Sequence, residues 1–394
     1  MICRPAVTGG VSVTSSSVPT TWSPSLRSWQ RSTVADDITV TTTPRLALCG
    51  AGMIAGVHVA AARQLGYQVV AVASRSEART LARAEEWGCT GLPYDRLPAD
   101  ADIVVVATPP GRHFEDVVLA LERGSAVIVE KPLVTTLDQA DRLALIAGHH
   151  EERVLYAENL LFAPAVRRLL ELVPDLGEPS HLSLRTMQTR PSWGGFLDPA
   201  WGGGVMFDLG VHPLALAVCI GRASGAGEVV RVQAHLDAKD QLVDLVARAN
   251  LTFASGLTAT VDVSWDGPET PVWDIQVAND HSVLRLDLLP TLTLEHNGEP
   301  VPLPSLRGSI PLLDQLGYLD QLRLAAQSLT RAGESPSGVG FGRWILEIVC
   351  ACYVSARDGG TPVVVPSGCD RHSTPWELWQ QSSNPENKAG STSD

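Results

Sequence analysis

The sequence predicts an α/β protein of two domains: a parallel sheet covered by helices, then an α/β domain built on a mostly antiparallel sheet. Three observations carry this. From Arg45 to Ala157 short apolar runs alternate with helical patterns, and strands apolar on both faces that alternate with helices imply a parallel sheet covered on both sides. After about Asn159 longer strand patterns follow one another, with turn signals such as Ala254-Ser255-Gly256 and Asn279-Asp280 and few helices between them, as in an antiparallel sheet. The chain has 394 residues, room for about two domains at ~150 residues each.

In order, Arg45–Cys49 reads as a strand, Met53–Leu65 as a helix, Gln68–Ala73 as a strand and Ser76–Trp87 as a helix. Asp102–Ala107 is a strand apolar on both faces. Arg112–Arg123 (helix), Ser125–Val129 (strand), Leu137–His149 (helix) and Arg153–Ala157 (strand) complete the series. Pro164–Val173 is a helix that opens on proline, a favoured first-turn residue. Strands are expected at Ser180–Gln188, Val229–Leu236, Leu242–Phe253, Gly256–Trp265, Val272–Ala278, Ser282–Leu288 and Thr291–Glu295, and helices at Leu312–Arg331 and Gly340–Arg357. The organisation expected is a disordered extension over 1–43, domains over 44–160 and 161–366, and a polar tail over 367–394 whose Trp376 and Trp379 can dock back onto the body.

Composition excludes several classes. The net charge of −13 disfavours DNA or RNA, because phosphate binding leans on clustered Lys and Arg. No run approaches the ~18 consecutive apolar residues of a membrane helix. The seven cysteines show no Cys-x-x-Cys pair. Free thiols in a reducing compartment are therefore expected, with a cytoplasmic location and no metal site. The first 43 residues lack the apolar core of a secretory signal and have no acid before Asp36; a disordered tail or an early start codon explains them better than a transit peptide.

Gly50-Ala51-Gly52-Met53-Ile54-Ala55 follows a strand and opens a helix. Gly50 makes the tight turn, Gly52 lets the backbone approach a pyrophosphate, and Ala55 permits close helix–strand packing. The helix N-terminus, at Met53 and Ile54, offers free N–H groups to the phosphates. At the end of the second strand an NAD enzyme usually carries an acid for the ribose 2′-hydroxyl. This chain has Ala73-Ser74-Arg75-Ser76, with Arg79 one turn on and Glu77 inside the helix. A hydroxyl beside guanidinium groups suits a 2′-phosphate, so NADP is the expected cofactor, with NAD the alternative.

Lysine occurs at only three positions, and Lys131 closes the apolar run Val127-Ile128-Val129-Glu130-Lys131-Pro132. That is the end of a parallel strand at which open α/β sheets bind their ligands. Trp201-Gly202-Gly203-Gly204 runs into a helical segment with Asp208 and His212 four residues apart, hence on one helical face. A carboxylate one turn from an imidazole can orient it or help bind a substrate hydroxyl; a satisfied core histidine is the competing reading.

The Gly-x-Gly-x-x-Ala loop, Ala107-Thr108-Pro109-Pro110 with His113, Glu130-Lys131-Pro132, and Gly-Gly-Gly-x-x-x-Asp208-x-Gly-x-His212 occur in this order. Together they resemble the glucose–fructose oxidoreductase / inositol dehydrogenase / rhizopine-catabolism family of sugar oxidoreductases. The resemblance runs from about Arg45 to Pro366. It includes the Tyr318–Leu329 helix and Ala351–Ala356 followed by Gly359-Gly360-Thr361-Pro362-Val363-Val364-Val365. It implies a Rossmann domain joined to an α/β domain with an open, mainly antiparallel sheet. The outer face of that sheet is expected to form a homodimer or homotetramer. It implies catalytic roles for Lys131, Asp208 and His212. His212, held by Asp208, can be the acid/base, or Lys131 can pass on its own proton while stabilising the oxygen; the sequence leaves both open. Thr108, Pro109, His113, Glu130 and Lys131 are expected around the nicotinamide. One departure stands out: many relatives carry Asn-x-Arg before the proline, and here Asn159-Leu160-Leu161 puts leucine in the arginine's place.

The expected activity is hydride transfer between nicotinamide and a hydroxyl or keto carbon of a sugar, nucleotide-linked sugar or cyclitol. Alternatives are a glycosidase or lyase that oxidises its substrate transiently with a retained nicotinamide, and a non-catalytic NAD(P)-binding sensor. Arg190, Trp193 and Trp201, in the Gly/Pro-rich loop before the Asp208 helix, are candidate substrate contacts, with Asn159 and Tyr318 as further ones.

Overall fold

The computed structural model describes residues 43–98, 100–148, 153–329 and 335–381. The expected extension over the first 42 residues and the predicted helix ends at His149 and Arg331 lie outside them. The first sheet contains β1 (Arg45–Cys49), β2 (Gln68–Ala73), β3 (Thr90–Leu92), β4 (Ile103–Val106), β5 (Ala126–Val129) and β6 (Val154–Tyr156). Its order is β3-β2-β1-β4-β5-β6 and every pairing is parallel. Both faces are covered, by α1 (Met53–Gln64), α2 (Glu77–Trp87), α3 (His113–Glu122) and α4 (Leu137–Ala147), and all four residues of β4 and of β5 are buried. This is the doubly wound order, whose crevice lies where the strand order reverses, between β1 and β4. The sequence pattern passed over β3, because Thr90-Gly91-Leu92 offers no apolar run and sits at the sheet edge.

After α5 (Pro164–Leu172) the chain builds a nine-stranded sheet in the order β14-β13-β12-β11-β7-β10-β9-β8-β15. Its main strands are β7 (His181–Met187), β8 (Val229–Asp237), β9 (Val246–Phe253), β10 (Thr258–Ser264), β11 (Val272–Ala278) and β12 (Val283–Leu289). The edges are β13 (Thr293–His296), β14 (Glu299–Pro300) and β15 (Val363–Val364). The sheet is antiparallel except where β7 pairs with β10. Strand alternation makes one face apolar and one polar. Ala247, Ala249, Leu251 and Phe253 of β9 are buried, whereas Arg248 and Asn250 point outward. On the outer face Arg185 pairs with Asp274, Arg248 with Asp262 and Arg285 with Asp287.

Two predicted helices are each broken by a glycine. Leu312–Arg331 becomes α8 and α9 (Pro311–Gln315 and Tyr318–Gln327; α6 and α7 follow below). Gly317 between them has φ 84°, and a Cβ there would lie 2.1 Å from the Asn159 carbonyl oxygen. The segment with Asp208 and His212 becomes α6 (Val205–Asp208) and α7 (Val211–Ala223). A Cβ on the intervening Gly210 would lie 2.4 Å from the Met206 oxygen.

The buried helix α10 (Val339–Arg357) packs against β8, α4, α7 and β6 and so joins the two sheets. By length and mean hydropathy it could cross a membrane, but Arg343 and Glu347 interrupt its apolar run and 83% of that window is buried inside the protein. A short helix, α11 (Pro375–Gln380), lies in the expected polar tail, opened by a capping box between Thr374 and Glu377. Trp376 and Trp379 dock onto the body through it, Trp379 lying edge-on to Tyr353 at 6.2 Å.

Candidate active site

A cleft of about 900 Å³ opens at the carboxyl ends of β1, β2, β4 and β5. Gly50, Gly52, Met53 and Ile54 form its floor, Ser74, Arg75 and Arg79 one end, and Thr108, Pro109, Glu130, Lys131 and Asp208 the other. Two glycines explain the floor. A Cβ on Gly50 (φ +116°) would lie 2.3 Å from the Ala107 oxygen, so β1 can approach the β4 loop only with glycine there. A Cβ on Gly52 would meet nothing within 4 Å, because it would project into the cleft. The α1 N-terminus has no side-chain cap and no acid in its first turn, which leaves its N–H groups for an anionic ligand. These residues fit the pyrophosphate of a dinucleotide.

At the β2 end Arg83 also lines the cleft with Arg75 and Arg79. The one acid in that part of the wall, Glu86, is bonded to Arg83 at 2.5 Å. Glu77 lies in the first turn of α2 and does not line the wall. The Ser74 hydroxyl bonds the Ser76 carbonyl at 3.1 Å and pairs with Thr80 at 2.7 Å, which fixes its orientation.

At the other end Lys131 Nζ donates to Asp208 Oδ1 at 2.7 Å and to the Asp208 carbonyl at 3.1 Å. His212 does not bond Asp208. Its Nδ1 bonds Glu158 Oε1 at 2.8 Å and Oε2 at 3.0 Å, in a pair that is almost fully buried. The expectation that Asp208 holds the imidazole is therefore corrected: the break at Gly210 separates the two residues, and Glu158, two residues beyond β6, takes that place. His212 and Glu158 do not line the cleft.

A second buried pair lies under Lys131. His58, on α1, bonds Glu130 Oε1 at 2.8 Å, and Glu130 Oε2 accepts from the Lys131 backbone N–H at 3.1 Å. Burial opposes ionisation of Glu130, but the bond and charge of His58, with Lys131, outweigh it and hold the carboxyl below its ordinary range. Burial, with the charges of Glu158, Glu130 and Asp208, pushes the Tyr156 hydroxyl well up.

The glycines before α6 have a similar explanation. Asp244 Oδ1 accepts from the Gly204 N–H at 3.1 Å and Oδ2 from the Met206 N–H at 2.8 Å, so this carboxylate caps the helix that carries Asp208. Tyr353 donates to Asp244 at 2.5 Å and accepts from the Gly204 N–H at 2.9 Å. A Cβ on Gly204 would lie 2.4 Å from Asp244 Oδ1, and one on Gly203 would lie 2.8 Å from the Tyr353 hydroxyl.

The remaining candidates separate into two groups. Trp193 and Trp201 line the cleft, packed through Phe196 at 4.8 and 5.0 Å. His113, Asn159, Arg190 and Tyr318 are absent from its wall. His113 is fully buried and ties the Thr108 carbonyl to that of Pro132, at 2.8 and 2.9 Å; burial pushes its pKa down. Asn159 donates to the Leu316 carbonyl at 2.7 Å and so fixes the turn before α9. Arg190 is exposed, and Tyr318 packs edge-on to His58 at 5.7 Å. Leu161 is fully buried, so the arginine contact of the resembling family has no counterpart at that position. Among the described residues no group of three or more His, Cys, Asp or Glu side chains is placed to hold a metal ion.

Sequence reasoning missed His58, Glu158, Asp244 and Tyr353. Glu158 had a usable signal, since it follows the apolar β6 much as Glu130 and Lys131 follow β5. Asp244 was absorbed into the predicted strand Leu242–Phe253, which begins only at Val246.

Comparison with known proteins agrees with this architecture. The model of the oxidoreductase family with an NAD-binding Rossmann fold matches residues 44–158, and that of the GFO/IDH/MocA C-terminal domain matches residues 166–281. D-xylose 1-dehydrogenase (NADP(+)) 2 of Haloferax volcanii is 30% identical over 240 residues, covering 58% of this chain and 70% of that protein. A dTDP-3,4-didehydro-2,6-dideoxy-α-D-glucose 3-reductase of Actinomadura kijaniata is 32% identical over 207 residues, 49% of this chain and 59% of its own length. Among solved structures, GenD2 from gentamicin A biosynthesis, in complex with NAD, superposes with a TM-score of 0.70 at 23% identity, covering 82% of this chain and 96% of that one. The fold and cleft define a two-domain oxidoreductase that binds a nicotinamide dinucleotide. The chain belongs to the GFO/IDH/MocA oxidoreductase family.

Proposed function

We propose that this protein is an NADP(H)-dependent oxidoreductase that interconverts a hydroxyl and a keto carbon on a sugar, a nucleotide-linked sugar or a cyclitol. The observation that carries the reading is Lys131 held by Asp208 in the wall of a cleft whose floor fits a dinucleotide. Its likeness to an NADP-dependent xylose dehydrogenase and to a nucleotide-sugar ketoreductase supports the substrate class. The arginines at the β2 end, with no unpaired acid in that wall, favour the 2′-phosphate of NADP.

Bound nicotinamide supplies the hydride acceptor or donor. An ammonium has three N–H donors, and Asp208 engages Lys131 through two contacts. The remaining donor hydrogen-bonds the reacting oxygen and stabilises negative charge on it during transfer. Glu158 fixes His212 through Nδ1, but His212 stays outside the wall of the cleft, so the proton of the substrate oxygen is exchanged with Lys131, the group that faces it. Trp193 and Trp201 offer aromatic faces to a sugar ring. Assembly into a dimer or tetramer through the outer face of the second sheet is part of this reading; the arginine–aspartate pairs there imply a polar, salt-sensitive contact.

The test is a panel of keto-sugars and polyols, assayed separately with NADPH and NADH. Steady net turnover with one member, faster with NADPH, is the expected result. Product release without net cofactor consumption would instead indicate a hydrolase or lyase using a retained nicotinamide.

A further inference from the structure

The C-terminal segment runs from the dinucleotide-binding domain to the loops that lead into and cap α6. Near its start the Ser367 N–H donates to Glu347 of α10 at 3.1 Å. Arg371 then bonds Asp141 of α4 at 2.6 Å and Glu347 at 3.2 Å, and its carbonyl accepts from the Asp138 N–H at 2.8 Å. The segment is thus fastened to the dinucleotide-binding domain before it reaches α11. Pro375 occupies the first position of α11 and Trp376 the second, where a backbone N–H has no partner within its own helix. Here that N–H donates to the Gly202 carbonyl at 2.8 Å. The Trp376 indole N–H donates to the Leu242 carbonyl, also at 2.8 Å.

Those two carbonyls belong to the two loops that set the position of Asp208. Gly202 follows Trp201, which lines the cleft, and precedes the glycines through which α6 is capped. Leu242 lies two residues before Asp244, the residue that caps α6. The same helix places Trp379 against Tyr353, which bonds both Asp244 and Gly204. We propose that Trp376 is a positioning residue: it clamps the 201–204 loop to the 242–244 loop and so fixes Asp208, and through it Lys131, for the reaction. The proposal rests on the reading of Lys131 and Asp208 as the reacting end of the cleft. It assigns to the polar tail a part in catalysis that its composition does not announce.

The dinucleotide floor shares none of these bonds, so the clamp is expected to affect turnover and leave cofactor binding alone. Trp376→Ala keeps the backbone bond and loses the ring and its donor. Trp376→Phe keeps the ring bulk and loses only the donor. Small displacements of positioned groups cost up to ~100-fold in rate; the expected fall in kcat is about 10-fold for Trp376→Ala and about 3-fold for Trp376→Phe, with the NADPH dissociation constant unchanged. Amide hydrogen exchange supplies a readout that needs no substrate. Exchange over 201–208 should quicken in Trp376→Ala while exchange over 45–75 stays as in the wild type. Unchanged exchange over 201–208 would overturn the clamp even if no substrate had been found. Wild-type kcat in Trp376→Ala would overturn its catalytic role, and so would a parallel loss of NADPH affinity, which would mark a general loosening. Failure of the oxidoreductase reading would appear separately, as absence of turnover by the wild type itself.

Discussion

Gly50 and Gly52, two residues apart in one loop, are predicted to fail in opposite ways when replaced by alanine. Gly52 has φ −81° and ψ −172°, which alanine adopts without strain, and its Cβ would meet nothing within 4 Å. Losing a glycine's freedom in the unfolded chain stabilises by ~0.4–1 kcal/mol, while alanine is a poorer helix cap than glycine. The two effects nearly cancel, so folding stability should change by less than about 1 kcal/mol. The added methyl nevertheless occupies the cleft beside the free N–H groups of α1. A hydrogen bond to a charged partner contributes ~1.5–3 kcal/mol. Displacing the pyrophosphate from one or two of them should weaken binding by ~3 kcal/mol, roughly 100-fold in Kd. Gly50→Ala differs, because its Cβ would lie 2.3 Å from the Ala107 oxygen and 2.6 Å from the Ala107 carbonyl carbon at φ +116°. Overpacking and backbone strain each cost ~1–3 kcal/mol, so about 2–6 kcal/mol of stability should be lost. Thermal unfolding without ligand and calorimetric titration with NADPH measure the two quantities independently. Wild-type NADPH affinity in Gly52→Ala, or a wild-type melting temperature in Gly50→Ala, would refute the assignment of this loop.

Two further perturbations address the ends of the cleft. Arg75→Ala should weaken NADPH binding by about 10-fold, the low end for a charge-assisted bond because Arg75 is exposed, and should leave NADH binding unchanged; an equal loss for both dinucleotides in the same titration would contradict recognition of a 2′-phosphate. His58→Ala removes the partner that keeps Glu130 ionised against burial. In the wild type the Glu130 pKa is depressed, so its stabilising contribution is complete above ~4.5 and is lost only as the pH falls through the folded value. In the variant only Lys131 still opposes burial, the largest of the causes, so that pKa rises and stability should decline relative to the wild type as the pH rises above ~4.5. The gap between wild type and variant in urea unfolding should therefore widen from pH 4.5 to pH 8, and a gap independent of pH would remove His58 from this role.

Much of the fold was legible because its signals are local. The alternating apolar strands, the glycine loop and the lysine at the end of β5 each follow from a few adjacent residues. The strand series of the second sheet was legible too, through its two-residue alternation. What stayed hidden depends on residues far apart in the chain. Glu158 takes His212 from Asp208 only because Gly210 interrupts the helix, and a four-residue spacing does not register such a break. Asp244 and Tyr353 reach Gly204 from 40 and 149 positions away, a distance over which no periodicity runs. Arg190, exposed outside the wall, shows the converse: a loop adjacent to the site in sequence does not place every one of its polar residues in it. The tail read as polar with two tryptophans able to dock, and up to Gln381 a capping box and two indole contacts dock it.

The most direct test of the central claim is hydride transfer by Lys131→Met with the substrate that the panel identifies. Single-turnover transfer from stereospecifically deuterated NADPH would be followed in wild type and variant, with bound cofactor verified by its fluorescence. General acid and electrostatic assistance together contribute at least ~10³-fold, so transfer should slow by that factor or more while the variant still binds NADPH. Stereospecific transfer at near wild-type rate in Lys131→Met would contradict the placement of the reaction at the Lys131–Asp208 pair.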